Sequence, residues 1–297
     1  MPIPAPRASG FTQRTDAPLY WAAYGREGTP RLLVLHGGPG AHHDYLLPQW
    51  LDLADEYDLL FYDQRGGGRS RTDDRSPVTW QTHVRDLEQL VAEFALAPVT
   101  VVGYSWGAML ALLYALEAAH GRAAPTPSRL VLIDPAPLTL AFRVAFEREF
   151  ARRQQGPAIQ RLRDALTASG LRESDADAYR QRTFELSVAG YFADPARATD
   201  LTPFRVTGRI QQSVRQSLGD FDLVRELGAV RCPALIVHGR QDPIPIASPE
   251  AAAAVMGAEF VALDACGHVP YVERRGELFA AIRSFLHRTS VPPSPVA

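Results

Sequence analysis

The sequence predicts an α/β protein with a mostly parallel central sheet, helices on both faces and an inserted helical cap. Three observations carry that prediction. Short apolar, β-branched runs alternate with amphipathic helical patterns along 297 residues, as expected of strands joined by covering helices. One run, Val99 to Tyr104, breaks at Gly103-Tyr-Ser-Trp-Gly107 directly into an apolar, alanine-rich helical pattern. Finally, about a hundred residues separate the strand ending at Ile133 from the one beginning at Ala234, whereas a crossover helix needs only about a dozen.

Each element has its own signal. Strand-like runs fall at Leu19 to Tyr24, Arg31 to Leu35, Leu59 to Asp63, Val99 to Tyr104, Leu130 to Ile133, Ala234 to Val237 and Phe260 to Leu263. Between Thr82 and Leu96, residues Val84, Leu87, Leu90, Val91 and Phe94 recur at helical spacing with charges opposite, which predicts one covering helix. A similar pattern from Leu278 to Leu286 predicts the last helix, and Val291-Pro-Pro-Ser-Pro a loose tail. Helical patterns at Thr139 to Arg153, Ala158 to Ala168, Ser174 to Ser187 and Val206 to Ser217 are separated by Gly and Pro. They assign residues 138–227 to the cap, and 1–137 with 228–297 to the core. A cap over the sheet edge confines substrate, so specificity is expected to reside there. Its first half carries Arg143, Arg148, Arg152, Arg153, Arg161 and Arg163 interleaved with Glu147, Glu149 and Asp164. That pattern reads as a solvated helix face with i,i+4 pairing.

Composition narrows the function. With 31 basic and 33 acidic residues the net charge is −2, so no basic excess points to nucleic acid or to an anionic membrane. A small molecule or short peptide is the expected partner. All 31 basic residues are arginines, and the chain has neither lysine nor asparagine. Schiff-base chemistry, a phosphate-loop lysine, an N-glycosylation sequon and a Cys-His-Asn triad are therefore excluded. Cys232 and Cys266 are too few for a disulfide framework and lack zinc-site clustering, so a reducing, cytoplasmic setting is expected. The opening Met-Pro-Ile-Pro-Ala-Pro-Arg lacks the apolar core of a signal peptide, and no uncharged apolar run reaches the length of a membrane span. Neither a metal nor a cofactor is called for.

The chemistry gathers at Ser105. A serine at a tight strand-to-helix turn presents its hydroxyl, and glycines two residues either side let strand and helix pass closely. Because a serine hydroxyl is a poor nucleophile, it needs a base and a group that orients that base. Leu235-Ile-Val-His-Gly-Arg-Gln-Asp242 puts a carboxylate just past one strand, and Asp264-Ala-Cys-Gly-His268 an imidazole just past the next. Among eight histidines, His268 alone combines a late position, a preceding glycine and a strand end, while His36 and His238 read as structural. Asp134 also follows a strand, but Asp242 directly precedes the strand that carries His268 and is preferred. A developing oxyanion needs two converging backbone donors. The Trp106 amide at the helix start is one, and Gly38 in Leu35-His-Gly-Gly-Pro-Gly40 supplies the other. A phosphate-cradling loop would need a lysine or a G-x-G-x-x-G that this segment lacks.

Taken together, His36-Gly-Gly-Pro-Gly40, Asp63-Gln-Arg-Gly-Gly-Gly-Arg-Ser70, Gly103-Tyr-Ser-Trp-Gly107, Gly239-Arg-Gln-Asp242 and Gly267-His268 resemble the proline iminopeptidase family of α/β-hydrolases. The resemblance covers nearly the whole core. It implies the α/β-hydrolase fold, a Ser105-Asp242-His268 triad, Gly38 and Trp106 as oxyanion donors, and release of an N-terminal residue, often proline, through an acyl-enzyme. Such aminopeptidases hold the substrate ammonium with cap and loop glutamates, since a carboxylate compensates a buried cation strongly. Here Pro243 and Pro203 stand at two of those places. Phe184-Glu185 resembles the Trp-Glu pair of the bacterial members, which makes Glu185 the candidate anchor.

Three functions remain in view: a serine aminopeptidase, a carboxylesterase or lactonase on a small ester, and a ligand-binding protein on the same fold. The segment Asp63 to Ser70 reads on its own as a structural turn, with Arg65 and Arg69 tying loops together.

Overall fold

The computed structural model describes residues 3–289; the predicted tail at 291–295 lies outside the described residues. Eight strands form one sheet: β1 (Ala8–Phe11), β2 (Tyr20–Tyr24), β3 (Arg31–Leu35), β4 (Asp58–Tyr62), β5 (Thr100–Tyr104), β6 (Arg129–Ile133), β7 (Ala234–Gly239) and β8 (Glu259–Leu263). Their order is β1-β2-β4-β3-β5-β6-β7-β8. The β1–β2 and β2–β4 pairs are antiparallel and all others parallel. From β3 to β7 nearly every strand residue is buried, as required of parallel strands covered on both faces. That is why they read as continuous apolar runs. The sequence reading missed β1, whose residues alternate between half-buried and exposed at the sheet edge.

Two apolar layers flank the sheet. On one side pack α1 (Trp80–Glu93) and α2 (Trp106–Ala119); on the other, the 43–53 turns and the last helix, α8 (Arg275–Arg288). Helix α1 starts where Thr79 and Thr82 form a reciprocal capping box. Every residue of α2 is buried except Glu117 and Ala119, which explains its all-round apolar character. A further helix, α7 (Ala247–Met256), lies between β7 and β8.

Between β6 and β7 the chain leaves the sheet and forms α3 (Leu140–Gln154), α4 (Pro157–Ala168), α5 (Ala176–Val188) and α6 (Gly208–Leu218). Side chains set their starts: Thr139 caps α3, Pro157 occupies the first turn of α4, and Asp175 caps α5. Ile210 and Val214 of α6 are fully buried against the core layer that contains α2, seating this segment over the sheet. Among the described residues, no helix is long and apolar enough to cross a membrane.

Candidate active site

Leu35 of β3 pairs with Gly103 of β5, and Tyr104 with Ile133 of β6, so the ends of the central strands meet at one edge. Ser105 stands there with φ 55° and ψ −117°, a backbone region that costs a non-glycine residue on the order of 1–3 kcal/mol. The flanking glycines are needed for contact. A Cβ on Gly103 would lie 2.4 Å from the Gly107 oxygen, and one on Gly107 2.2 Å from the Leu35 oxygen. Only hydrogen at both positions lets α2 start directly above β3 and β5.

The residues predicted to act together are in hydrogen-bond contact. His268 Nε2 is 2.9 Å from Ser105 Oγ, and His268 Nδ1 is 2.7 Å from Asp242 Oδ2. The other Asp242 oxygen accepts the Ile244 amide at 2.7 Å. Both His268 and Asp242 are buried. Burial alone would lower the imidazole pKa, but the Asp242 carboxylate outweighs it and raises His268 above its ordinary value. Asp242 is held below the usual carboxylate range, against burial, by His268 and His238.

Asp134 does not take the orienting position. It accepts the Gly239 amide at 2.9 Å and pairs with His238 Nδ1 at 3.1 Å. Burial pushes Asp134 up to about 6. His238 also lies 3.8 Å from Asp242; burial works against its charge, but the two carboxylates raise it to about 9. The ligand-type atoms of Asp134, His238 and Asp242 lie within 4.8 Å of one another, and Asp242 already uses one oxygen for His268 and the other for the Ile244 amide.

The loop bearing His268 is fixed from three sides. Its amide donates to the Tyr191 carbonyl at 2.7 Å, and Tyr104 Oη donates to its carbonyl at 2.7 Å. Buried Glu273 accepts the Gly267 amide at 2.7 Å and the Ala193 amide at 2.8 Å. Sequence reasoning missed Glu273, although its position five residues after His268 on a polar-poor stretch was visible. Cys266 is buried, and burial pushes its thiol far above the ordinary range, as expected of an inert core cysteine.

The segment Asp63 to Ser70 supports the glycine loop. Gln64 donates its amide to His36 Nε2 at 3.0 Å and its side chain to the His36 carbonyl at 2.8 Å, and it accepts the Trp106 indole N–H at 2.8 Å. It thus joins the loop of Gly38 to the first residue of α2. Asp63 accepts from the His43 ring at 2.7 Å and the Arg69 amide at 2.9 Å. Arg69 pairs with Asp44 at 2.7 Å and ties two loops together as predicted, whereas Arg65 forks onto Asp86 and ties the turn to α1. Gly38 and Trp106 face the same cavity as Ser105. Among the described residues neither amide finds an acceptor.

That cavity, of about 370 Å³, lies between the sheet edge and the inserted helices, with His268, Phe146, Phe150, Tyr191 and Phe221 in its wall. Two charged residues of α3, Arg143 and Glu147, also line it, together with Arg215 of α6. The solvated reading of the arginine-rich stretch is therefore corrected for Arg143, whereas Glu147 borders the cavity and stays half exposed. Residues 143, 146, 147 and 150 share one helix face by their three- and four-residue spacing, and that face borders the cavity. Outward, Glu149 pairs with Arg152 at 2.7 Å and Arg153 at 2.8 Å. Glu147 pairs with Arg215. The candidate anchor Glu185 is elsewhere: it is buried, bonded to Gln181 at 2.9 Å and Arg182 at 2.8 Å, and lines a separate cavity with Leu162 and Ala198. The structure does not bring it together with Ser105.

Such a sheet, with a strained serine turn and a histidine and carboxylate at successive strand ends, defines a class, and the alpha/beta hydrolase family profile matches residues 32–282. The chain belongs to that family. Among curated relatives, a proline iminopeptidase of Lactobacillus crispatus is 26% identical over 291 residues, covering 90% of this chain and 94% of that one. A proline iminopeptidase of Saccharolobus solfataricus is 39% identical over 112 residues, 36% of each chain. Of solved structures, the proline iminopeptidase of Mycobacterium smegmatis superposes with TM-score 0.68 at 21% identity, covering 95% of this chain and 98% of that one. The enol-lactonase of Burkholderia xenovorans superposes with TM-score 0.64 at 20% identity, covering 94% and 100%. At that identity the two structures speak to the fold alone.

Proposed function

We propose that the chain is a cofactor-free serine hydrolase that cleaves a small amide or ester through an acyl-enzyme on Ser105. The continuous hydrogen-bonded path from Ser105 through His268 to Asp242, at 2.9 and 2.7 Å, carries the reading. His268 takes the Ser105 proton as Oγ attacks the carbonyl, then gives it to the departing amine or alcohol. Water repeats the cycle on the acyl-enzyme, releasing the acid and restoring Ser105. Asp242 holds Nδ1–H and stabilises the imidazolium, while the Gly38 and Trp106 amides receive the oxyanion. Residues 138–227 serve as the substrate-confining cap.

The names of the relatives support a narrower form, release of an N-terminal proline or other small residue from a short peptide. An ammonium group needs a carboxylate, and among the described residues Glu147 is the one lining the Ser105 cavity. A specific observation favours a second form, an esterase or lactonase: Glu147 is already paired with Arg215. Proline and alanine p-nitroanilides assayed beside short p-nitrophenyl esters separate the two. Anilide turnover supports the aminopeptidase; ester turnover without anilide turnover overturns it.

A further inference from the structure

We propose that Arg143 makes the cavity over Ser105 a subsite for a substrate carboxylate, so that preferred substrates are anionic. The proposal rests on Ser105 being the nucleophile; it does not depend on the choice between amide and ester.

Three of the side chains lining this cavity are charged under ordinary conditions, namely Arg143, Glu147 and Arg215, beside the histidine of the site itself. Glu147 and Arg215 neutralise each other across α3 and α6. Arg143 remains. Among the described residues it meets no carboxylate, its guanidinium lies over the Phe221 ring at 5.3 Å, and its Nη1 is shut off from solvent without an acceptor. The cavity therefore holds one positive charge in excess, against a wall made chiefly of Met109, Phe146, Phe150, Val214, Leu218 and Phe221.

An arginine that lines a largely apolar cavity with no carboxylate partner leaves its charge uncompensated there, and an incoming anion supplies the compensation. Of the common substrate groups, a carboxylate matches best, because its two oxygens accept from the guanidinium fork and its charge cancels the excess. The Phe221 ring gives the guanidinium a cation–π contact at 5.3 Å. A free ammonium, by contrast, would have to displace Arg215 from Glu147 and then lie in the field of Arg143.

The carboxylate can belong to the acyl part of the substrate or to the leaving group, and two substrate pairs distinguish these sources. Monophenyl glutarate carries it on the acyl side and is compared with its neutral methyl ester. The second pair, 4-acetoxybenzoate and its methyl ester, carries it on the leaving group. The wild type is expected to prefer the acid by at least about tenfold in kcat/KM in one pair, the magnitude of one charge-assisted contact. In Arg143→Gln that ratio falls to near one; Arg143→Lys retains part of it. Free glutarate inhibits the wild type competitively and the Gln variant at least about tenfold more weakly. The acid-to-ester ratio is internal to each protein, so partial loss of folded enzyme does not distort it. Equal or lower kcat/KM for the acids in both pairs overturns the proposal, as does a preference that survives in Arg143→Gln. A wild type in which a fluorophosphonate leaves Ser105 unlabelled refutes the hydrolase reading itself, and the carboxylate subsite with it. Labelling without an acid preference refutes the subsite alone.

Discussion

Two aspartates compete to serve His268, and geometry separates them at the scale of single atoms. Asp242 Oδ2 is 2.7 Å from His268 Nδ1, whereas Asp134 spends its contacts on His238 and the Gly239 amide. Asp242→Asn is therefore expected to lower kcat by roughly 10⁴-fold, as loss of the orienting carboxylate does in serine hydrolases of this design. Asp134→Asn, acting one histidine removed, is expected to lower it by less than about tenfold. Steady-state kinetics of the two variants check the assignment, and an inverted order would overturn it. The same carboxylate sets the pH profile. His268 must be neutral to accept the proton, and its pKa is raised, so kcat/KM falls as pH drops through a value above the ordinary 6.5. In Asp242→Asn the residual activity loses the charge that raises His268, and its acidic limb moves to lower pH.

At the scale of elements, the strand-to-helix turn depends on absent side chains. With a Cβ 2.2 Å from the Leu35 oxygen and 2.7 Å from the His36 oxygen, Gly107→Ala forces α2 away from β3. Stability is expected to fall by about 2–4 kcal/mol, read from denaturant unfolding, and residual folded protein should lose Ser105 reactivity. Strands and their end residues were legible because the signals are local: Ser105, Asp242 and His268 each follow an apolar run within a few residues. β1 was missed because a four-residue edge strand with exposed Ser9 and Phe11 has no apolar run to read. The place of Arg143 and Glu147 beside the cavity was missed for another reason. Their i,i+4 spacing looks the same on either helix face, and which face turns inward depends on α6 and the sheet edge, far away in sequence.

For the whole molecule, burial of neutral imidazoles couples folding to pH. His36 is lowered to about 4 and His83 to about 3, in both cases chiefly by desolvation. His36 is bonded through both ring nitrogens, to the Gln64 amide and the Gly37 carbonyl; those of His83 have no partner among the described residues. In the unfolded chain both protonate near 6.5, while in the folded chain they stay neutral. Their contribution is thus complete above about pH 6.5 and is lost as pH falls toward the folded values, by on the order of 1.4 kcal/mol per pH unit for each group. Thermal midpoints measured from pH 7 to pH 4 should decline, with a shallower slope in His83→Leu. An unchanged slope would contradict this account of His83. The same logic of scale runs along the chain: the strands and turns that bear Ser105, Asp242 and His268 are written in local runs, whereas the helices between β6 and β7 acquire meaning only where they meet them. Glu185 shows the difference, for it is buried as an anchor would be, but against α4 rather than over Ser105.

All of the proposed chemistry requires Ser105 to be a nucleophile activated by His268. The most direct measurement is reaction of the intact protein with a fluorophosphonate, followed by mass spectrometry of the whole protein and its peptides. A single adduct on Ser105, absent in Ser105→Ala and formed at least about 10³-fold more slowly in His268→Ala, is the predicted result. An unmodified wild type, or an adduct that persists in Ser105→Ala, would contradict it.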